Sequence, residues 1–125
     1  ESLRACRSRS GVSAVMADDP VVTDPDLYSV VFENDRVRVL RYADQPGDHT
    51  HPHHHPDSVM ITMSSFTRRL RHAEQQVDVA LEAGVVRWLD AQEHSGENIG
   101  DTPTAALFIE LKEPGTASSA RLGPV

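Results

Sequence analysis

Cysteine is almost absent from this chain. The single thiol, Cys6, excludes an internal disulfide framework and any zinc site built on thiolates, and it leans towards a reducing compartment. Lysine is equally scarce, with Lys112 alone beside eleven arginines, which reads as a coding bias. A basic excess is missing too. The net charge is −7 and the pI about 5.4, so a general nucleic-acid binder is not expected, because phosphate neutralisation needs a basic surface. No window approaches the ~20 consecutive apolar residues of a bilayer-spanning helix. Long amphipathic helical periodicity is also lacking. The 125 residues suffice for one domain with a modest core, and 38% hydrophobic with 25% charged residues is an ordinary globular composition.

The ends differ from the middle. Residues 1–15 are rich in Ser and Arg, carry +2, and have no apolar segment of the kind a secretory signal needs. Met16 looks like a natural start, and residues 1–15 read as an upstream extension. Residues 1–19 are expected to be a disordered extension, 20–113 the folded domain, and 114–125, rich in Gly, Ser, Ala and Pro, a flexible tail. With no targeting signal, a cytoplasmic location is the default expectation.

Between these ends the periodicity is that of strands. Tyr28–Glu33 is β-branched and aromatic, and Asn34-Asp35 is a turn signal. Arg36–Ala43 begins by alternating Val37 and Val39 with Arg36 and Arg38. Ser58–Met63 is apolar on both faces. Phe66–His72, Gln76–Leu81, Val85–Leu89, His94–Ile99 and Ala105–Lys112 complete a set of eight short strands. Turn residues recur about every 8–12 positions, which argues an all-β sandwich or barrel.

One feature of the composition is abundant. There are seven histidines, and five of them (His49, His51, His53, His54, His55) fall within seven positions. In an extended chain, residues i and i+2 face the same side, so His53 and His55 present two imidazoles suited to adjacent positions on one metal ion. His54 faces the other way. His49 and His51 share the parity of His53 only if the chain stays extended through Pro52. Strand pairing could bring the distant His94 beside the first two.

These residues carry a resemblance. Gly47, five residues, then His53-x-His55 fits the first cupin motif, G(x)5HxH. Gly84, Val85 to Leu89, then His94 and Asn98 resembles the second, which ends in H(x)3N. The likeness runs from about Tyr28 to Lys112 and is to small single-domain cupins. It implies an all-β, double-stranded β-helix (jelly-roll) barrel with one divalent transition metal at its inner mouth. It carries over His53, His55 and His94 as ligands and Asn98 as a structural position. Fe(II) is the expected metal, with Mn, Ni, Cu or Zn as alternatives. The first motif usually continues with a glutamate after three or four intervening residues beyond its second histidine. Val59 and Met60 stand there, so the expected site is three histidines with no carboxylate.

Three neutral imidazoles offset none of the charge of a divalent ion, so such a site favours anionic ligands. The resemblance implies a metal-dependent enzyme on a small anionic molecule, most concretely a non-haem Fe(II) dioxygenase. A lyase or isomerase on the same site, or a non-catalytic binder of metal or small ligand, are the alternatives. Glu93, beside His94, is a candidate partner behind the ligands or general base. Met60, Thr62, Trp88 and Phe108 are pocket candidates. His49, His51 and His54 read as residues of the barrel mouth, and Asp57 as turn chemistry. Arg69 and Arg71 share one strand face; Arg68, Leu70 and His72 share the other. A solvated face is the default for the arginine run, with an anion clamp in the barrel as the sharper alternative. Apolar outer strand faces invite a homodimer.

Overall fold

The computed structural model describes residues 18–113 and 121–125. Cys6 and most of the expected N-terminal extension lie outside the described residues, as do residues 114–120 of the expected tail.

The elements follow from the alternation. After a single helical turn, α1 (Pro20–Thr23), come β1 (Tyr28–Glu33), β2 (Val37–Asp44), β3 (His53–His55), β4 (Ser58–Thr62), β5 (Phe66–His72), β6 (Gln75–Leu81), β7 (Val86–Leu89), β8 (Gln92–Asn98) and β9 (Thr104–Leu111). Eight of the nine strands match the expected segments closely. The addition is β3, where the histidine run itself pairs as a strand. The helical turn had no periodic signal; Asp19 caps it, its Oδ1 accepting the Val21 amide at 3.0 Å, with Pro20 in the first turn.

Two antiparallel sheets face each other. One has the order β1-β2-β9-β4-β7 and the other β3-β8-β5-β6. The eight-residue pairing of β2 with β9 forms the spine of the first sheet. Asn34 Oδ1 accepts the amides of Arg36 and Val37, which makes the tight β1–β2 connection. The loop after Asp44 carries the chain from the first sheet to the second, and the turn at Gln45–Asp48 is closed by a reciprocal pair of bonds between those two residues.

Burial follows strand parity. On β9 every second residue from Thr104 to Glu110 is buried, and on β5 the buried positions are Phe66, Arg68 and Leu70. Tyr28, Leu40, Tyr42, Met60, Phe66, Leu89, Ala106 and Phe108 form the apolar core between the sheets. Arg69 and Arg71 point outward, where they pair with Asp78 and Glu97. The anion-clamp alternative therefore narrows to Arg68, the one arginine of the run that faces inward.

The C-terminal residues do not behave as a loose tail. Val125 exchanges two backbone hydrogen bonds with Trp88 of β7, at 2.7 and 3.0 Å. Gly123 sits against Leu70 with φ +86°, so close that a Cβ there would come within 3.0 Å of Leu70 Cδ1. Thus 121–125, expected from composition to be flexible, is strapped across the barrel. Composition records only that a segment is small and polar, and it cannot register backbone pairing with an open sheet edge. At the other end the fold begins before residue 20, since Asp18 bridges His53 and its carbonyl accepts the His54 amide.

Candidate metal centre

His53, His55 and His94 converge because of strand register. His53 is the direct antiparallel partner of His94, and His55 lies two positions along on the same face of β3. The three ring centroids form a near-equilateral triangle with separations of 4.7, 5.0 and 5.0 Å. One nitrogen of each ring lies within 4.8 Å of the others. All three side chains are buried; His53 and His55 lie against Tyr28, and His55 also stacks on the ring of Phe108 at 5.1 Å.

The outer nitrogens decide which inner ones are available. His53 Nδ1 donates to the His51 carbonyl at 2.8 Å, and His94 Nδ1 donates to Gln92 Oε1 at 2.8 Å. Both partners are acceptors only, so each ring carries its proton on Nδ1 and turns a bare Nε2 lone pair inward. Burial, followed by the mutual proximity of the rings, lowers the pKa of His55 and His94 well below the usual imidazole value; burial lowers His53 as well. All three rings are neutral at pH 7, the state in which imidazole ligates metal. This donor set fits a divalent transition metal. The residues that would hold it are His53, His55 and His94, and no carboxylate joins their group.

The cluster stops short of the other cluster histidines for a structural reason. His49 bridges Glu97, whereas His53 pairs with His94, so the register slips by one residue between them. A one-residue slip reverses which face a side chain occupies. His49 is therefore exposed beside Glu97, while Thr50 is buried and bonds Gly96 in both directions. His51 is also exposed; its ring and its amide both bond the Asp24 carboxylate. His54 borders an outer groove with Arg38 and Glu110. His72 ends β5 in solvent.

Glu93 is placed opposite His54 in register and, by alternation, on the face of β8 away from the cavity. The side chain that orients His94 is Gln92. Sequence reasoning passed over it, although i and i+2 parity on one strand was the signal that could have found it. Gln92 is itself held: its amide nitrogen donates to the carbonyls of Asp90 and Arg121, and its oxygen also accepts the Gly123 amide at 2.9 Å. A second residue that was missed is Glu110, 3% exposed on β9. Its Oε1 accepts from Arg38 at 2.8 Å, and its Oε2 lies 3.6 Å from His55 Nδ1.

Inside the barrel a cavity of about 40 Å³ adjoins His53 and His94, with Tyr28, Thr50, Met60, Arg68 and Phe108 among its walls and Pro124 closing one side. Of the four pocket candidates, Met60 and Phe108 line it. Thr62 and Trp88 do not. The Thr62 hydroxyl donates to the Glu82 carbonyl and accepts the Val85 amide to pin the β6–β7 turn; Trp88 is half-buried, and its indole donates to Asp90. Thr62 shares the buried face of β4 with Met60 but stands at the end of the strand, whereas Trp88 has the opposite parity to the buried Leu89 on β7.

Asn98 is buried at the end of β8, away from the three rings. It donates to Asp44 and to the Thr102 carbonyl, and accepts the Gly100 amide. Asp44 is the hub: it also accepts from Tyr42, from Arg68 and from the Thr104 amide. Burial alone would raise its pKa, but these bonds and the charge of Arg68 hold it below the usual aspartate value. The Arg68 guanidinium lies 4.9 Å above the Tyr42 ring, so a paired cation forms part of the cavity wall.

Neither a family model nor a curated protein sequence matches the chain significantly. Solved structures do. A cupin domain from Bordetella pertussis Tohama I is 28% identical, with a TM-score of 0.65, over 82% of this chain and 100% of that one. A conserved protein with a double-stranded β-helix domain from Klebsiella pneumoniae is 22% identical, with a TM-score of 0.55, over 74% and 79% of the two chains. An RmlC-like cupin family protein from Methanocaldococcus jannaschii shares the fold at 10% identity, with a TM-score of 0.56, over 68% and 78%. Together with the histidines of both motifs now seen on neighbouring, paired strands, this makes the chain a small protein of the cupin superfamily, built as a double-stranded β-helix.

Proposed function

We propose that this protein is a metal-dependent cupin enzyme acting on a small anionic molecule, most concretely a three-histidine non-haem Fe(II) dioxygenase. The observation that carries the reading is the inward convergence of three buried, neutral imidazoles beside a cavity. When bound, the metal would supply a Lewis acid and an electron source for O₂ chemistry. The chain's own residues do the rest. His51 and Gln92 hold the rings of His53 and His94 in the ligating tautomer. Tyr28, Met60 and Phe108 exclude water from that side of the cavity. Arg68, neutralised by Asp44, adds a polar wall without a net charge of its own, so the uncompensated charge of the metal site selects an anion.

The test is oxygen consumption by Fe(II)-reconstituted protein across a panel of β-diketones and thiols, with the double variant His53→Ala/His55→Ala as control. Uptake dependent on both metal and substrate supports the dioxygenase reading. Absence of uptake with every member, in protein shown to hold one metal ion per chain, overturns it. The small cavity favours a second reading, a module that binds metal and a small ligand without turnover. A lyase or isomerase using Mn, Ni, Cu or Zn needs the same three histidines, and product analysis under anaerobic conditions separates it from both.

A further inference from the structure

Two buried atoms in the described structure have no hydrogen-bond partner, His55 Nδ1 and Glu110 Oε2, and they face each other at 3.6 Å. The tautomers explain why. His53 carries its proton on Nδ1, so its Nε2 is bare. His55 Nε2 lies 3.0 Å from it and must be the donor. That choice leaves His55 Nδ1 as a lone pair aimed at a carboxylate oxygen. Two acceptors repel, and they stand beyond hydrogen-bond distance. An isolated pair of this kind is costly in a buried site and calls for an occupant that reverses the tautomer.

We propose that Glu110 is the carboxylate of this metal site, acting from behind His55: it accepts the Nδ1 proton of His55 when His55 Nε2 binds a metal ion. The inference rests on the metal reading above. Its proton balance is neutral. Metal loading removes the Nε2 proton that His55 donates to His53, and one proton is taken up at His55 Nδ1, so both orphaned atoms become bonded. Glu110 reaches only the outer nitrogen and is not a ligand itself. Arg38 fixes its other oxygen, and Asp19 in turn holds Arg38 at 2.7 Å, so the carboxylate cannot swing away. The arrangement places one bond further out a carboxylate that Val59 and Met60 cannot provide, and because Arg38 offsets its charge, the charge of the metal stays uncompensated. It is a positioning role, of the kind in which a carboxylate behind a histidine raises the basicity of the ligand.

The experiment uses the full chain and Zn(II) as a diamagnetic probe. Two-bond ¹⁵N–¹H spectra of the histidine rings distinguish the Nδ1–H from the Nε2–H tautomer. The expected result is that His55 changes from Nε2–H to Nδ1–H on zinc binding, whereas His53 and His94 keep Nδ1–H throughout. Glu110→Gln retains an acceptor for Arg38 and should weaken zinc binding about tenfold. If zinc binds at the three rings but His55 has the same tautomer in both states, or if Glu110→Gln binds zinc as tightly as the parent, the role of Glu110 is overturned while the metal site stands. If none of the three rings responds to zinc, the metal reading falls and this inference falls with it.

Discussion

Gln92 Oε1 lies 2.8 Å from His94 Nδ1, and the same oxygen accepts the amide of Gly123 from the C-terminal strap. One side chain thus couples the orientation of a candidate metal ligand to the last residues of the chain. Replacing it with an isosteric apolar group removes the acceptor and leaves the His94 proton unpaired. Gln92→Leu is expected to weaken zinc or iron binding by between about 10- and 100-fold, measured by competition with a chromophoric chelator. Glu93→Gln, on the other face of the strand, is expected to change it by less than about twofold.

The strap should respond to a change at Gly123. Its φ of +86° disfavours any side chain, and a Cβ would crowd Leu70. Gly123→Val is expected to cost about 1–3 kcal/mol locally and release the segment. Hydrogen exchange is the measurement: the amides of Trp88 and Val125, which donate to each other's carbonyls, should lose protection. Unchanged protection would mean that the strap is held by other contacts.

Metal binding should stabilise the fold by mass action. At free metal one hundred times its dissociation constant the expected gain is about 2.7 kcal/mol, which corresponds to a rise in Tm of roughly 10 °C for a domain of this size. Chelator should reverse it, and His53→Ala/His55→Ala should show no rise. A parent protein whose melting is indifferent to metal would contradict the site.

Acid should act partly through Asp44. Its pKa is lowered in the folded state despite burial, because Tyr42, Arg68 and Asn98 favour the carboxylate. A folded pKa below the unfolded value contributes stability above about pH 4 and loses it as the pH falls through the folded value. Asp44→Asn is expected to lower stability at pH 7 by about 3 kcal/mol, since it leaves Arg68 buried without its counter-charge. It should also flatten the acid limb of a plot of stability against pH. An equally steep limb in the variant would assign acid sensitivity elsewhere.

The homodimer remains a proposal, and β1 is the surface on which it can be tested. Val30, Val31 and Phe32 are about half exposed on an edge strand, an arrangement that invites pairing with a second copy. Light scattering should give twice the chain mass for the parent and the monomer mass for Phe32→Glu. A monomeric parent overturns the expectation.

Much of this protein was readable along the chain. Alternation at Val37–Asp44 and Thr104–Leu111 marks strands because side-chain period two is a local property of extended backbone. The two histidine motifs likewise announce their chemistry, since His53 and His55 share a face by parity alone. Three other features depended on tertiary structure. The register slip between His49 and His53, which sorts mouth residues from ligands, is set by pairing with β8. The roles of Gln92 and Glu110 depend on which atoms the folded strands place behind the rings, and Glu110 is 55 positions from the histidine it faces. The strap at 121–125 has no periodic signal because it is held through its own backbone groups, which carry no side-chain code. Sequence by itself determined the strands, the fold class and the three imidazoles. Only the packing of one sheet against the other placed Glu110 behind His55, because that contact joins residues whose separation along the chain carries no pattern.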